Sequence, residues 1–130
     1  MTLAIDYAWQ HPNPAAIKAD GYSAVMRYLS GDPSKNLTAA EAAELHKAGL
    51  GIGLVWETSA QRAGAGARAG SDDNDKANSM ADALGFPKFC PIFMAVDYNA
   101  TVDAVSAYFA GAASNGQRPV GVYGGYHIIE

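Results

Sequence analysis

Short apolar segments alternate with helical segments along the whole chain. The five apolar segments are predicted strands, and they cover residues 3–6, 23–28, 51–56, 91–96 and 119–123. Helix-forming stretches separate them, so the predicted order is β-α-β-α-β-α-β-α-β. Such alternation predicts a parallel sheet with right-handed crossovers. We therefore expect an α/β fold.

Local capping signals predict where the first two helices begin. Asn13 followed by Pro14 is typical of a helix start, because Asn caps the helix and Pro is tolerated in its first turn. Thr38 and Glu41 form a predicted capping box, in which each side chain satisfies a free backbone N–H group of the other residue. The second helix is expected to end before Gly49.

Two further helices are predicted in the second half of the chain. Residues 58–70 are rich in small residues and are expected to form a loop. A helix is then predicted from residue 71 to about residue 84, with Asp72 and Asp73 favoured by the positive end of its dipole. Thr101 is predicted to cap the last helix. Its packed face is expected to contain Val102, Val105, Phe109 and Ala112.

Two architectures fit five strands in this order. One is a complete, open, doubly wound sheet, and the other is the first five strands of a (β/α)8 barrel, which needs about 250 residues. Because the segment after Tyr123 resembles the entry to a further βα loop, we favour the barrel. Residues 1–130 would then be a single domain that is incomplete on its C-terminal side. A partial barrel exposes a sheet edge, so self-association through that edge is a further expectation.

Composition excludes several classes of function. The net charge of −4 and the lack of a Lys/Arg cluster argue against nucleic-acid binding. No apolar run approaches the roughly 18 residues of a membrane span, and no signal-peptide pattern is present. Cys90 is the only cysteine, and His11, His46 and His127 lack metal-ligand spacing. We therefore expect neither a metal nor another cofactor.

Three of the predicted strands end on a carboxylate, and these residues are Asp6, Glu57 and Asp97. The carboxyl ends of parallel strands open onto one face, where ligands bind. Clustered carboxylates repel each other, so their presence points to a functional site. Glycosidic cleavage uses two carboxyl groups, about 5–5.5 Å apart for retention and about 6.5–9.5 Å apart for inversion. The three acids could supply such a pair.

Each acid also has a structural alternative. Asp6 could cap the turn before the first helix, and Asp97 could be paired instead of lying exposed at the mouth of the sheet. Burial beside Trp56 would favour the protonated form of Glu57, which a general acid requires. Alternatively, Glu57 could form a salt bridge to Arg27, Arg62 or Arg68.

Other side chains near the strand ends are candidates for ligand contact. Arg27 could bind a ligand carboxylate, or it could pair structurally with Asp6 or Asp32. Aromatic faces at such a mouth suit the apolar C–H patches of sugar rings, although rim packing would also explain them. These aromatic residues are Trp9, Trp56, Tyr98, Tyr123 and Tyr126. Residues 64–70 have the wrong glycine spacing for a phosphate-binding loop, which disfavours a nucleotide-binding domain.

Six segments together carry a resemblance to a known family. They are Asp6-Tyr7-Ala8-Trp9, Arg27-Tyr28-Leu29-Ser30, Lys35-Asn36-Leu37-Thr38, Leu54-Val55-Trp56-Glu57, Ala95-Val96-Asp97 and Val120-Gly121-Val122-Tyr123-Gly124-Gly125-Tyr126. The chain resembles the glycoside-hydrolase-like TIM-barrel domain of actinobacterial secreted proteins and actinophage lysins, which is related to the family-25 lysozyme-type glycoside hydrolases. The resemblance implies a domain that binds or cleaves bacterial cell-wall glycan, without a cofactor.

If the chain is an enzyme, we expect the following roles for individual residues. Glu57 would be the acid/base, Asp97 the second carboxylate and Asp6 a positioning group. The expected substrate-binding residues are Arg27, Tyr98, Tyr123, Trp9 and Asn99. The lysozyme-type enzymes carry Asp-x-Glu after the fourth strand, with Glu as the proton donor, whereas this chain has Asn99 at that position.

Two classes of function therefore stay open. The first is a lysin-type, muramidase-like glycosidase acting on peptidoglycan or a related polysaccharide. The alternative is an inactive glycan-binding or structural module, for example of a phage particle. In either case the expected setting is the bacterial cell wall, reached by a phage-encoded chain or by one exported as part of a larger protein.

Overall fold

A computed structural model describes residues 3–59 and 61–124. Within them the strands are β1 (Ala4–Asp6), β2 (Ala24–Leu29), β3 (Gly51–Trp56), β4 (Ile92–Val96) and β5 (Val120–Gly124). The α-helices are α1 (Pro14–Ala19), α2 (Ala39–Lys47), α3 (Ala67–Ala83) and α4 (Val102–Ala113), and a 3-10 turn, Arg62–Gly64, precedes α3. The predicted alternation of strands and helices is confirmed. None of these helices has the length and apolar character needed to cross a bilayer.

The order of the strands distinguishes the two expected architectures. The sheet runs β1-β2-β3-β4-β5, and every neighbouring pair is parallel. A doubly wound sheet reverses its strand order at a switch point, whereas this sheet adds each new strand beside the previous one. The described residues therefore form a partial barrel of the (β/α) type, as expected from the sequence.

The two faces of the sheet have different surroundings. The main hydrophobic core lies between the sheet and the helices, and its strand residues include Val25, Leu29, Leu54, Trp56, Ile92, Met94 and Val96. Successive side chains of a strand point to opposite faces. Val55 and Ala95 therefore face the other, concave side, and both are buried there. Residues that continue this alternation past the carboxyl ends of the strands lie at that edge of the sheet.

Helix α3 begins four residues earlier than predicted. Gly66 precedes it with a φ of 96°, a conformation that glycine adopts readily, and residues 67–70 are helical. Asp73 consequently lies inside the helix and is buried, so the predicted interaction of Asp72 and Asp73 with the helix dipole is wrong. Instead, Asp73 accepts two hydrogen bonds from Arg62, at 2.8 and 2.9 Å, and one from the Tyr108 hydroxyl at 2.7 Å.

Helices α3 and α4 cross at two glycines. A Cβ at Gly70 would collide with the backbone of Tyr108, and a Cβ at Gly111 would collide with the backbone of Ala67. Thr101 caps α4 as predicted, because its hydroxyl accepts a hydrogen bond from the Ala104 N–H. Val102 was expected on the packed face but is 62% exposed, since packing begins one turn later.

Candidate active site at the carboxyl edge of the sheet

The three strand-end acids lie on one edge of the sheet. Asp6 is the last residue of β1, and Glu57 and Asp97 directly follow β3 and β4. The Glu57 N–H still donates to the Leu29 carbonyl at 3.2 Å, so the sheet pairing extends to this residue. Because all strands are parallel, the three acids share the carboxyl edge, where ligands of such folds bind. We call this edge, with its concave side, the mouth.

Asp6 is held by two tyrosines from other strands. Its carboxylate accepts a hydrogen bond from the Tyr28 hydroxyl of β2 at 3.2 Å. It accepts another from the Tyr123 hydroxyl of β5. The contact with Tyr123 spans from the first strand of the described sheet to the fifth, so the sheet must curl around the mouth. This cluster orients Asp6 across the concave side.

The two phenols of this cluster stay protonated well above neutral pH. Burial, assisted by the negative charges of Asp6 and then Glu57, raises the pKa of Tyr28 to about 12. Burial and the hydrogen bond to Asp6 also raise the pKa of Tyr123. Both tyrosines are therefore hydrogen-bond donors to Asp6.

Glu57 forms an ion pair with a lysine, a partner that differs from the arginines expected from the sequence. Lys35 Nζ lies 3.3 Å from Glu57 Oε1, and the two side chains are only 11% and 18% exposed. The ammonium also lies 4.9 Å from the centre of the Tyr28 ring and 6.0 Å from that of Trp9. The partner of Glu57 is therefore Lys35, and not Arg27, Arg62 or Arg68. The segment Lys35-Asn36-Leu37-Thr38, which contributes to the family resemblance, was the available signal for this residue.

Hydrogen bonds within the β2–α2 loop fix the segment that carries Lys35. The Ser30 hydroxyl contacts Asn36 Oδ1 at 2.8 Å, and Asn36 Nδ2 donates to the Ser30 carbonyl at 2.8 Å. The Ser30 hydroxyl also accepts from the Asp32 N–H at 3.0 Å. The Leu37 N–H donates to the Tyr28 carbonyl at 3.0 Å, which attaches the end of the loop to β2.

Arg27 lies on the side of β2 opposite the mouth. It is fully buried, and its guanidinium donates to both carboxylate oxygens of Glu41, at 2.8 and 2.9 Å. It also donates to the carbonyls of Tyr7, at 2.7 Å, and Lys35, at 3.1 Å. A ligand contact would need an accessible guanidinium at the mouth, so the expectation that Arg27 binds substrate is wrong. The alternative pairing with Asp6 or Asp32 is likewise replaced by Glu41.

Glu41 makes only one of the two hydrogen bonds predicted for the capping box. Its N–H does donate to the Thr38 hydroxyl at 3.2 Å. Its carboxylate, however, binds Arg27 and accepts from the Tyr7 hydroxyl at 2.7 Å. Burial alone would raise the pKa of Glu41, but the hydrogen bonds from Arg27 and Tyr7 lower it below its ordinary value. The pair is a structural support behind the mouth.

The predicted aromatic residues separate into two groups. Trp9 is 65% exposed at the rim, and its indole N–H donates to the Ser34 hydroxyl at 3.1 Å. Trp56 instead faces the helices, where it is 4% exposed, and its indole nitrogen has no partner among the described residues. Trp56 therefore points away from Glu57, because neighbouring residues of a strand face opposite sides, and the expected burial beside it is corrected. Tyr126 lies outside the described residues.

The segment after β4 contributes the remaining candidates. Asp97 and Asn99 are exposed, and Tyr98 is half-buried with its hydroxyl close to Gly64, where a Cβ would lie 2.9 Å from it. Asp97 follows Ala95 on the same strand face, so alternation directs it toward the mouth. No group of three potential ligands with the geometry of a metal site occurs in residues 3–59 and 61–124.

The comparison with known families assigns the domain. The family model for the Rv2525c-like, glycoside hydrolase-like domain matches residues 15–130. The chain belongs to this family. The resemblance noted in the sequence is thereby confirmed. No curated protein matches the chain.

Two groups of solved structures share the fold of the domain. The Tat-secreted protein Rv2525c of Mycobacterium tuberculosis, in complex with HEPES, gives a TM-score of 0.75 at 22% identity, over 88% of this chain and 65% of that one. The modular autolysin LytC of Streptococcus pneumoniae gives a TM-score of 0.63 at 16% identity, over 93% of this chain and 32% of that one. LytC has also been solved in complex with a synthetic peptidoglycan ligand. The domain thus spans 65% of the length of the Rv2525c structure.

Proposed function

We propose that this domain binds bacterial cell-wall glycan in the mouth and hydrolyses a glycosidic bond there with its carboxylates. One observation carries the proposal: Asp6, Glu57 and Asp97 follow one another along a single edge of a partial (β/α) barrel. Paired carboxylates are the usual apparatus of glycoside hydrolysis. Further support comes from membership of a glycoside hydrolase-like family and from the peptidoglycan ligand bound to LytC.

The residues of the mouth take different roles in this proposal. Glu57, the acid that is partly shielded from water, is the acid/base. Asp97, exposed and on the neighbouring strand, is the second carboxylate. Asp6, held by its two tyrosines, positions substrate or stabilises positive charge. Around these acids, the proposed sugar-binding residues are Trp9, Tyr98, Asn99 and Tyr123.

Release of reducing sugar from purified cell walls tests this function. The parent chain should release sugar, and the double variant Glu57→Gln/Asp97→Asn should not, because both changes keep the side-chain shape and remove the carboxylate. The matched control is Glu44→Gln/Asp20→Asn, which changes two exposed acids away from the mouth. Loss of release in the control as well, or full release by the double variant, would refute the assigned residues.

A specific observation favours a second function, glycan binding without hydrolysis. The lysozyme-type proton donor position is taken by Asn99, whose amide cannot supply a proton. The mouth would then keep its aromatic and carboxylate groups for recognition alone. Sedimentation of the chain with cell walls, without release of reducing sugar by the folded parent, would support this function over the first.

The cellular setting belongs to the same proposal. We propose that the domain meets its glycan at the bacterial cell wall, as a phage-encoded or an exported chain. The Tat secretion of Rv2525c supports export. The single-domain boundary at residues 1–130 and self-association through the sheet edge stay predictions.

A further inference from the structure

Two opposite charges at the mouth are shielded from water and depend on each other. The side chains of Lys35 and Glu57 are 11% and 18% exposed, with 3.3 Å between Nζ and Oε1. Removing a charged group from water costs free energy unless a partner of opposite charge replaces the lost solvation. Each of these groups therefore stabilises the other in a single arrangement.

The backbone of Lys35 is anchored from below. Its carbonyl accepts a hydrogen bond from Arg27 at 3.1 Å, and its N–H donates to the Asp32 carbonyl at 3.2 Å. Arg27 is itself fixed by two hydrogen bonds to Glu41. The buried Arg27–Glu41 pair thus holds the loop from which the Lys35 ammonium enters the mouth, and this gives the ion pair a rigid base.

Aromatic rings define the path of the Lys35 side chain. The ammonium lies 4.9 Å from the Tyr28 ring centre and 6.0 Å from that of Trp9, within the range of cation–π attraction. The Tyr28 hydroxyl also donates to Asp6. One ring consequently connects Asp6 with the Lys35–Glu57 pair, and these groups form one connected cluster.

We propose that Lys35 is a positioning residue for Glu57. Its ammonium holds the Glu57 carboxylate in one orientation toward the mouth, where the substrate sugar would lie. The kinetic part of this inference rests on the proposed glycosidase function, whereas the orientation of Glu57 does not. The other charged or titratable groups of the mouth are Asp6, Tyr28, Asp32, Asp97 and Tyr123. The carboxyl groups among them carry the same charge as Glu57, so they repel its carboxylate while Lys35 attracts it.

Three variants separate positioning from other roles. Lys35→Met keeps the length of the aliphatic stem and removes the charge, while Lys35→Arg keeps the charge. Lys88→Met is the matched control, because it removes an ammonium paired with Asp82, at 2.9 Å, near the amino end of β4. Unfolding midpoints in urea confirm that each variant is folded before the other measurements are compared.

Crystal structures or side-chain NMR of Glu57 give the first readout, and it needs no activity. We expect one Glu57 rotamer in the parent, Lys35→Arg and Lys88→Met, and several rotamers in Lys35→Met. A single parent-like Glu57 rotamer in folded Lys35→Met would overturn the proposal. If Lys35→Met does not fold, a disordered Glu57 in Lys35→Arg would overturn it instead.

Steady-state kinetics on soluble cell-wall glycan give the second readout. Misplacement of a reacting group by about 1 Å can lower a rate about 10²-fold, so Lys35→Met should lower kcat by that order with little change in KM. Lys35→Arg should recover most of kcat. A raised KM with kcat intact would make Lys35 a ligand contact and refute positioning. Absence of turnover in the parent would refute the glycosidase function. The Glu57 rotamers in the Lys35 variants would still show whether Lys35 positions Glu57.

Discussion

Tyr123 of β5 donates a hydrogen bond to Asp6 of β1, so the first and fifth strands of the described sheet meet across the mouth. Neighbouring strands lie about 4.8 Å apart, and in a flat sheet β1 and β5 would be roughly 19 Å from each other. A tyrosine side chain cannot reach that far. The contact therefore depends on the barrel curvature, and it brings Asp6 into the concave space beside Tyr28.

Alkaline pH should weaken the fold through Tyr28. The folded pKa of about 12 exceeds the ordinary value of 10.0, so the native state retains a proton that the unfolded chain loses first. The resulting stability is fully present below pH 10.0 and is lost as the pH rises through about 12. Between these pH values, the free energy of unfolding in urea should fall less steeply with pH in Tyr28→Phe than in the parent.

Tyr22→Phe is the control for this titration, since its hydroxyl has no hydrogen bond among the described residues and the chain keeps the same number of tyrosines as in Tyr28→Phe. Its pH dependence is the reference for the removal of one tyrosine hydroxyl away from the Asp6 cluster. An identical dependence of the free energy of unfolding on pH in all three proteins would contradict the raised pKa of Tyr28 in the native state.

Breaking the buried Arg27–Glu41 pair should destabilise the fold strongly. Arg27→Met leaves the Glu41 carboxylate buried without its cation, and such changes cost about 3–5 kcal/mol. The double variant Arg27→Met/Glu41→Leu should lose less, because it leaves no unpaired charge. Free energies of unfolding in urea compare the two, and a double variant less stable than Arg27→Met would contradict this explanation.

Acidic pH should remove the contribution that the Glu41 carboxylate makes to the free energy of unfolding. Its folded pKa is below the ordinary value of 4.5, so its stabilising effect is present above that value and is lost as the pH falls through the folded pKa. As the pH falls below 4.5, the parent should therefore lose more stability than Glu41→Gln. A parallel pH profile for the two proteins would argue against this role.

The crossing of α3 and α4 should not tolerate a methyl group at Gly111. A Cβ there would collide with the Ala67 backbone, and overpacking of this kind costs about 1–3 kcal/mol, in spite of the better helix propensity of alanine. Gly31→Ala is the control, because a Cβ at Gly31 would meet no atom within 4 Å and the φ of this residue is not in the left-handed region. Equal unfolding midpoints for the two variants would show that the helices can separate freely.

Asn99→Glu should raise the rate of hydrolysis if proton donation limits the proposed activity, because it adds a second possible donor beside Glu57. This change restores the Asp-x-Glu pattern of the lysozyme-type enzymes at Asp97 and residue 99. Asn99→Gln matches the side-chain length of Asn99→Glu without an ionisable group, so it should lack any gain in reducing-sugar release that comes from proton donation. A rate unaltered by Asn99→Glu, in a folded protein that still binds cell walls, would assign proton donation to Glu57 or favour a pure binding function.

The element order and the strand-end acids were predictable because they depend on local patterns. Alternating apolar runs marked the five strands to within one residue at each end, and Asn13, Thr38 and Thr101 marked helix starts through their capping side chains. The start of α3 was missed. Residues 67–70 have no local cap except Gly66, and contacts of Gly70 and Asp73 with α4 and Arg62 hold that turn in place.

The α/β alternation and the placement of Asp6, Glu57 and Asp97 at strand ends follow from local patterns, since periodicity and capping act over a few residues. Long-range packing, in contrast, sets the contacts of Arg27 with Glu41, of Tyr28 with Asp6 and of Lys35 with Glu57. These pairings join residues 14 to 22 positions apart. A buried charge needs whichever partner the packing of distant elements brings within reach, and no local pattern specifies that partner.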